Sequence, residues 1–150
     1  MCGRIGSSMP RAELLETYHW LRDAPEELPR YNIAPTDPVL AVGPDRVEVV
    51  RWGIDGARGG LFNLRAETAL AKPYYQRLLL QKRILVPASH FYEWRKVGER
   101  RLPMAVSRAD GGSCTLPAFW RDGRVRPRRP YSPRRPTPIS PAFTTGCRWS

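Results

Sequence analysis

Arg83-Ile84-Leu85-Val86-Pro87-Ala88-Ser89-His90-Phe91-Tyr92-Glu93-Trp94-Arg95 is the stretch that settles the fold class. It reads as two strands, Arg83 to Pro87 and Phe91 to Arg95, because β-branched and aromatic residues cluster on either side of a small-residue break. A turn at Gly98-Glu99-Arg100 leads into a further strand from about Leu102 to Ser107. Upstream, Val39 to Val42 and Val47 to Trp52 read as strands paired across Gly43-Pro44-Asp45. Short helices surround them. Pro10 to Leu21 carries Leu14, Leu15, Tyr18 and Leu21 at helical spacing, with Ser8 as its cap. Leu61 to Thr68 runs into a helical pattern reaching about Leu70, and Lys72 to Leu80 gives a second helix with Pro73 in its first turn. Tyr31 to Thr36 is extended or turn, since Pro35 restricts itself and Ala34. Gly53 to Gly60 is a glycine-rich loop. Strands and helices interleave without a βαβ rhythm, so the class is α+β with a mixed, mostly antiparallel sheet.

The 150 residues suit one domain with a real core. No run of 18 apolar residues occurs, which excludes a spanning helix, and no basic-then-apolar leader opens the chain. The three cysteines, Cys2, Cys114 and Cys147, lack metal-ligand spacing and read as reduced thiols of a cytoplasmic protein. No G-x-x-x-x-G-K loop is present, which argues against a nucleotide triphosphatase. The net charge of +11 is uneven: residues 121–150 hold eight Arg and one Asp, or +7, leaving +4 for residues 1–120. The mildly basic body is compatible with phosphate binding without establishing it.

Three groups of residues carry chemistry. Met1-Cys2-Gly3-Arg4 opens the chain, and removing Met1 would leave Cys2 with an α-amine beside its thiol. Such an amine titrates at about 8 and a thiol at about 8.5, so both nucleophiles are accessible near neutrality. An aminothiol closes the Schiff base of an aldehyde into a five-membered thiazolidine. Asn63-Leu64-Arg65-Ala66-Glu67-Thr68 gathers an amide, a guanidinium and a carboxylate, which is equally the composition of a solvated helix start. In Phe91-Tyr92-Glu93-Trp94, alternation sets Phe91 and Glu93 on one face and Tyr92 and Trp94 on the other. Facing inward, Glu93 would suit general acid–base work; facing outward it is an ordinary strand charge. His19 reads as a surface or core-edge residue, and His90 is ambiguous.

In order, Met1-Cys2-Gly3-Arg4, Tyr31-Asn32-Ile33-Ala34-Pro35-Thr36, Arg51-Trp52-Gly53, Asn63-Leu64-Arg65-Ala66-Glu67-Thr68 and Leu85 to Arg95 resemble the SRAP family, the SOS response-associated peptidases or abasic-site processing proteins. The resemblance covers about residues 2–110. It implies a curved, barrel-like sheet core and a monomer that binds single-stranded DNA containing abasic sites, with no cofactor, metal or membrane. It implies that Cys2 forms a thiazolidine crosslink with the abasic-site aldehyde, that Asn63 holds the sugar and that Glu93 assists ring opening and proton transfer. Arg4 and Arg65 match phosphate-contacting positions; Asn32, Pro35 and Trp52 match residues lining the DNA groove. The peptidase label corresponds to self-processing that exposes Cys2, and the setting is a bacterial cytoplasm, at the nucleoid when DNA is bound. Two other classes compete: an N-terminal-Cys amidotransferase, which leaves Asn63 and Glu93 unexplained, and a binding-only module for single-stranded DNA.

The chain departs from the family in two places. The Ile54 to Phe62 bridge is short, and the family's H-x-R-M-P segment is missing. From Arg121 the sequence is Arg- and Pro-rich without periodicity, as out-of-frame translation of a GC-rich gene would be. Write Thr144 to Ser150 as ACC-ACC-GGA-TGC-CGG-TGG-TCN, after the C of a Phe143 codon. Moved back one base, the frame reads His-His-Arg-Met-Pro-Val-Val. Pro136 to Ser140, as CCA-ACC-CCG-ATA-TCN after a G, reads Ala-Asn-Pro-Asp-Ile in the same frame. The expectation is an incomplete SRAP domain over residues 2–120, with C-terminal strands lost and the catalytic His replaced by Thr144. Residues 121–150 are expected to be disordered.

Overall fold

The computed structural model describes residues 3–19, 22, 29–44, 47–54, 60–121 and 137–139. Nine strands and three helices follow one another among them: β1 (Ile5–Ser7), α1 (Arg11–Thr17), β2 (Arg30–Ile33), β3 (Pro38–Val42), β4 (Val47–Trp52), α2 (Ala66–Ala71), α3 (Pro73–Gln81), β5 (Arg83–Ala88), β6 (His90–Val97), β7 (Arg100–Val106), β8 (Cys114–Phe119) and β9 (Thr137–Ile139). They form two sheets, one ordered β2-β1-β6-β7 and the other β8-β5-β3-β4-β9. All pairings are antiparallel except β4 with β9. The α+β class holds, but these sheets do not close into a barrel.

The sheets meet through one apolar layer. Ile5 and Ile33 from the smaller sheet pack against Val39, Ala41, Val50, Trp52, Ile84, Val86, Leu116 and their neighbours, and Phe91 leans on the same cluster. Strand β3 is apolar throughout because it is covered twice. Val39 and Ala41 face this layer, while Leu40 and Val42 meet Leu14, Leu15 and Tyr18 of the α1 segment. That explains a continuous rather than alternating pattern. Helices α2 and α3 build a third cluster around Ile54, Leu64, Ala69 and Phe119.

Several local expectations change. Helix α1 starts after Pro10 with no side-chain cap, because Ser8 turns to Ser89 instead, their hydroxyls 2.9 Å apart. Strand β8 was not legible because Pro117 interrupts it; it lies at a sheet edge, where a missing N–H is tolerated. Pro103 sits likewise in edge strand β7. At the loop after β7, Asp110 accepts from Arg108 Nε at 2.9 Å and from the Gly112 N–H at 3.0 Å, and these bonds hold its carboxyl well below the usual carboxylate range. Of the tail, Thr137–Ile139 are described as β9; residues 122–136 and 140–150, with most of the out-of-frame reading, lie outside the described residues.

Candidate nucleic-acid interface

Strand β1 pairs with β2 at Ile5–Ile33 and again at Ser7–Arg30. One residue, Gly6, therefore faces two, Tyr31 and Asn32. This is a β-bulge, a device that re-aims a side chain beside a functional surface. The side chain aimed is Asn32, whose Oδ1 accepts from Arg4 Nη1 at 2.7 Å. Two expected DNA contacts, 28 residues apart, are thus one exposed polar pair.

Pro35 follows in a tight turn. The Asp37 N–H donates to Ala34 O at 3.0 Å, with Pro35 and Thr36 between them. Thr36 has φ +82°, the second central position of a type II turn. The turn is tied down on both sides. Asp37 Oδ2 accepts from the Ala34 N–H at 2.9 Å and from Arg30 Nη2 at 3.4 Å, while the Thr36 N–H donates to Trp52 O at 2.8 Å. A β-branched residue at positive φ costs about 1–2 kcal/mol. Thr36→Gly is therefore expected to stabilise the protein by about 0.5–1 kcal/mol, after the added freedom of glycine in the unfolded chain. Urea melts of the two proteins check this; an unchanged or lower midpoint would show that the Thr36 conformation carries no strain.

Trp52 differs from its expected place in the DNA groove. It is 3% exposed and belongs to the intersheet core, so neither ring face is available to a base. It acts from behind. Its Nε1–H donates to Phe62 O at 2.9 Å, and its backbone N–H donates to Asp37 O at 2.9 Å. One residue thereby ties the Pro35 turn to the segment entering Asn63. Gly53 allows this approach: it has φ +107°, and a Cβ there would lie 2.3 Å from Phe62 Cδ1. Asn63 itself is half-buried, with Oδ1 shielded from solvent. Arg65 is exposed, at the residue preceding α2.

Strand β6 separates two sets of side chains by parity. Phe91 packs on the core, so Glu93 shares the core-facing side and is half-buried, the inward of its two orientations. Gly6 pairs with His90, and the Tyr92 N–H donates to Arg4 O at 2.9 Å. Arg4, Asn32, Tyr92 and Trp94 therefore occupy the outer face, and Trp94 is 48% exposed. The structure joins Arg4 to Asn32 and links Pro35 through Trp52 to Asn63. It does not place Trp52 or Glu93 on the Arg4 face. Cys2 lies outside the described residues, which begin at Gly3. His19 is exposed, as a surface histidine. The Arg30–Asp37 clasp and Tyr92 were missed as site residues; only the nearby Pro35 and the strand alternation hinted at them. Among the described residues, no cluster of His, Cys, Asp and Glu could hold a metal ion, and no helix is long and apolar enough to cross a membrane.

Comparison with known proteins gives this surface its context. The chain is 32% identical over 120 residues to the abasic site processing protein YoaM of Bacillus subtilis, covering 71% of this chain and 53% of that one. It is 30% identical over 131 residues to the abasic site processing protein YedK of Escherichia coli, covering 79% and 59% respectively. The chain thus spans little more than half the length of these relatives. In structure it is similar to a phage-related protein from Bordetella bronchiseptica, with TM-score 0.71, 20% identity, and coverage of 95% of this chain and 68% of that one. A family model described as SOS response associated peptidase (SRAP) matches residues 1–133. The ordered motifs, the two-sheet core and this match together show that the chain belongs to the SRAP family.

Proposed function

We propose that this protein binds single-stranded DNA carrying abasic sites and captures the ring-opened sugar through Cys2. The observation that carries the reading is the exposed Arg4–Asn32 pair, a positive fork held at 2.7 Å close in sequence to the N-terminal nucleophile. A guanidinium oriented by an amide oxygen presents a positive charge of fixed geometry, the kind that recognises a phosphate. In this reading the α-amine freed by Met1 removal attacks the C1 aldehyde and expels water as the imine forms. The Cys2 sulfur then adds to that carbon, the amine nitrogen takes the proton, and a thiazolidine results. Asn63 holds the sugar; Glu93, on the half-buried side of β6, passes protons during ring opening and water loss. Arg65, and Pro35 on its tethered turn, extend the contact with the strand, and self-processing exposes Cys2.

The test is incubation of purified protein with a single-stranded oligonucleotide bearing one abasic site. A heat-stable adduct is expected, absent in Cys2→Ser and slowed at least tenfold in Glu93→Gln. An adduct that persists in Cys2→Ser overturns the reading. A second reading, a module that only binds single-stranded DNA, rests on the same exposed Arg4–Asn32 pair, which needs no reaction at Cys2. It predicts retention of the oligonucleotide without an adduct. The frame-error proposal for residues 121–150 is tested by the gene's nucleotides: codons incompatible with both displaced readings defeat it.

A further inference from the structure

The outer face of the smaller sheet carries a chain of side-chain hydrogen bonds that crosses three strands. Tyr92 Oη donates to Tyr31 O at 2.9 Å, spanning from β6 over β1 to β2. With its one hydrogen used there, the phenol oxygen accepts from His90 Nε2–H at 3.1 Å. That leaves Nδ1 of the neutral ring as acceptor for the Ser89 hydroxyl at 2.8 Å. Ser89 Oγ in turn accepts from the Ser8 hydroxyl at 2.9 Å.

The far end of this hydrogen-bond chain meets the bulge. Tyr31 and Asn32 are the two residues opposite Gly6, where the ladder between β1 and β2 is interrupted. Strand β2 is a sheet edge, and Tyr31 is 62% exposed, so little packing holds this backbone. The Tyr92 hydroxyl fixes the carbonyl of the peptide unit whose nitrogen belongs to Asn32. Gly6 makes the route available, because the His90 ring occupies the space a side chain there would fill. The rings of His90 and Tyr92 then stand edge to face, centroids 5.0 Å apart.

We infer that Tyr92 is a positioning residue for DNA capture: supported by His90 and Ser89, it locks the Tyr31–Asn32 bulge so that Asn32 presents Arg4 to a phosphate. The inference rests on the reading of Arg4 as a phosphate contact. Tyr92→Phe keeps the ring and removes only the hydroxyl. Binding of a single-stranded abasic oligonucleotide is expected to weaken about three- to tenfold, with the adduct-forming rate at saturating DNA unchanged. In an Arg4→Gln background the same change is expected to add nothing, because its effect runs through Arg4. The slope of log affinity against log salt should fall by about 0.7 in each variant, as for one lost phosphate contact on a single strand. Independent of DNA, the Arg4 Nε–H and Asn32 side-chain amide NMR signals should shift in Tyr92→Phe. Unmoved signals, wild-type affinity at intact fold, or additive effects of the two substitutions would overturn the inference. Unweakened binding by Arg4→Gln, with shifted signals in Tyr92→Phe, would instead defeat the phosphate role of Arg4 and leave the lock standing.

Discussion

Trp52→Ala is expected to cost about 3–5 kcal/mol, the range for deleting a large aromatic from a core. Trp52 is buried among residues of both sheets, so no rearrangement of the surface fills the space it vacates. Against a typical total stability of about 5–15 kcal/mol, that loss leaves a marginal protein. Trp52→Phe separates packing from hydrogen bonding. The smaller ring retains most of the apolar contact but deprives Phe62 O of its indole donor. An unsatisfied buried carbonyl costs about 1–3 kcal/mol. Because Phe62 leads directly into Asn63, adduct formation should slow more than DNA affinity falls. Denaturant melts and single-turnover capture measure the two effects. If Trp52→Phe melts and reacts like the wild type, Trp52 is packing alone and the link to Asn63 carries no function.

Gly6→Ala is the second large effect. An ideal Cβ at this position lies 2.1 Å from His90 Cε1 and 2.3 Å from Nε2, well inside contact distance. Overpacking of this kind costs about 1–3 kcal/mol, and pushing the ring away also breaks its bonds to Ser89 and Tyr92. His90→Ala in the Gly6→Ala background removes the obstruction. The double variant should therefore be more stable than the sum of the single changes implies, by about 1 kcal/mol or more in a double-mutant cycle. Additive losses would show that the two residues do not share this space.

Sequence reasoning and structure agree where a pattern has a local cause. The apolar run Val47 to Trp52 predicts the bounds that β4 adopts, and Pro73 marks the start of α3. The alternation of Phe91 through Trp94 correctly set Glu93 on the same side as Phe91, and the apolar cluster decided which side faces inward. The misses have non-local causes. β1 is three residues long and contains a glycine, so it is a strand only because β2 and β6 flank it. The burial of Trp52 could not be read from Arg51-Trp52-Gly53, because it depends on the opposing sheet. Arg4 and Asn32 were each proposed as contacts, but their pairing arises from a bulge that no spacing announces.

Among the described residues four strands stand at sheet edges, and they share a consequence for the protein's behaviour in a crowded cell. An open sheet invites a foreign strand to continue its ladder, which is the first step of aggregation. Here β7 carries Pro103, β8 carries Pro117 and β9 carries Pro138, each without an N–H to offer, and β2 is broken by its bulge. A visiting strand would lose its register within a few residues on any of them. The irregularity that aims Asn32 at Arg4 thus also protects the exposed flank of the smaller sheet from recruitment into fibrils.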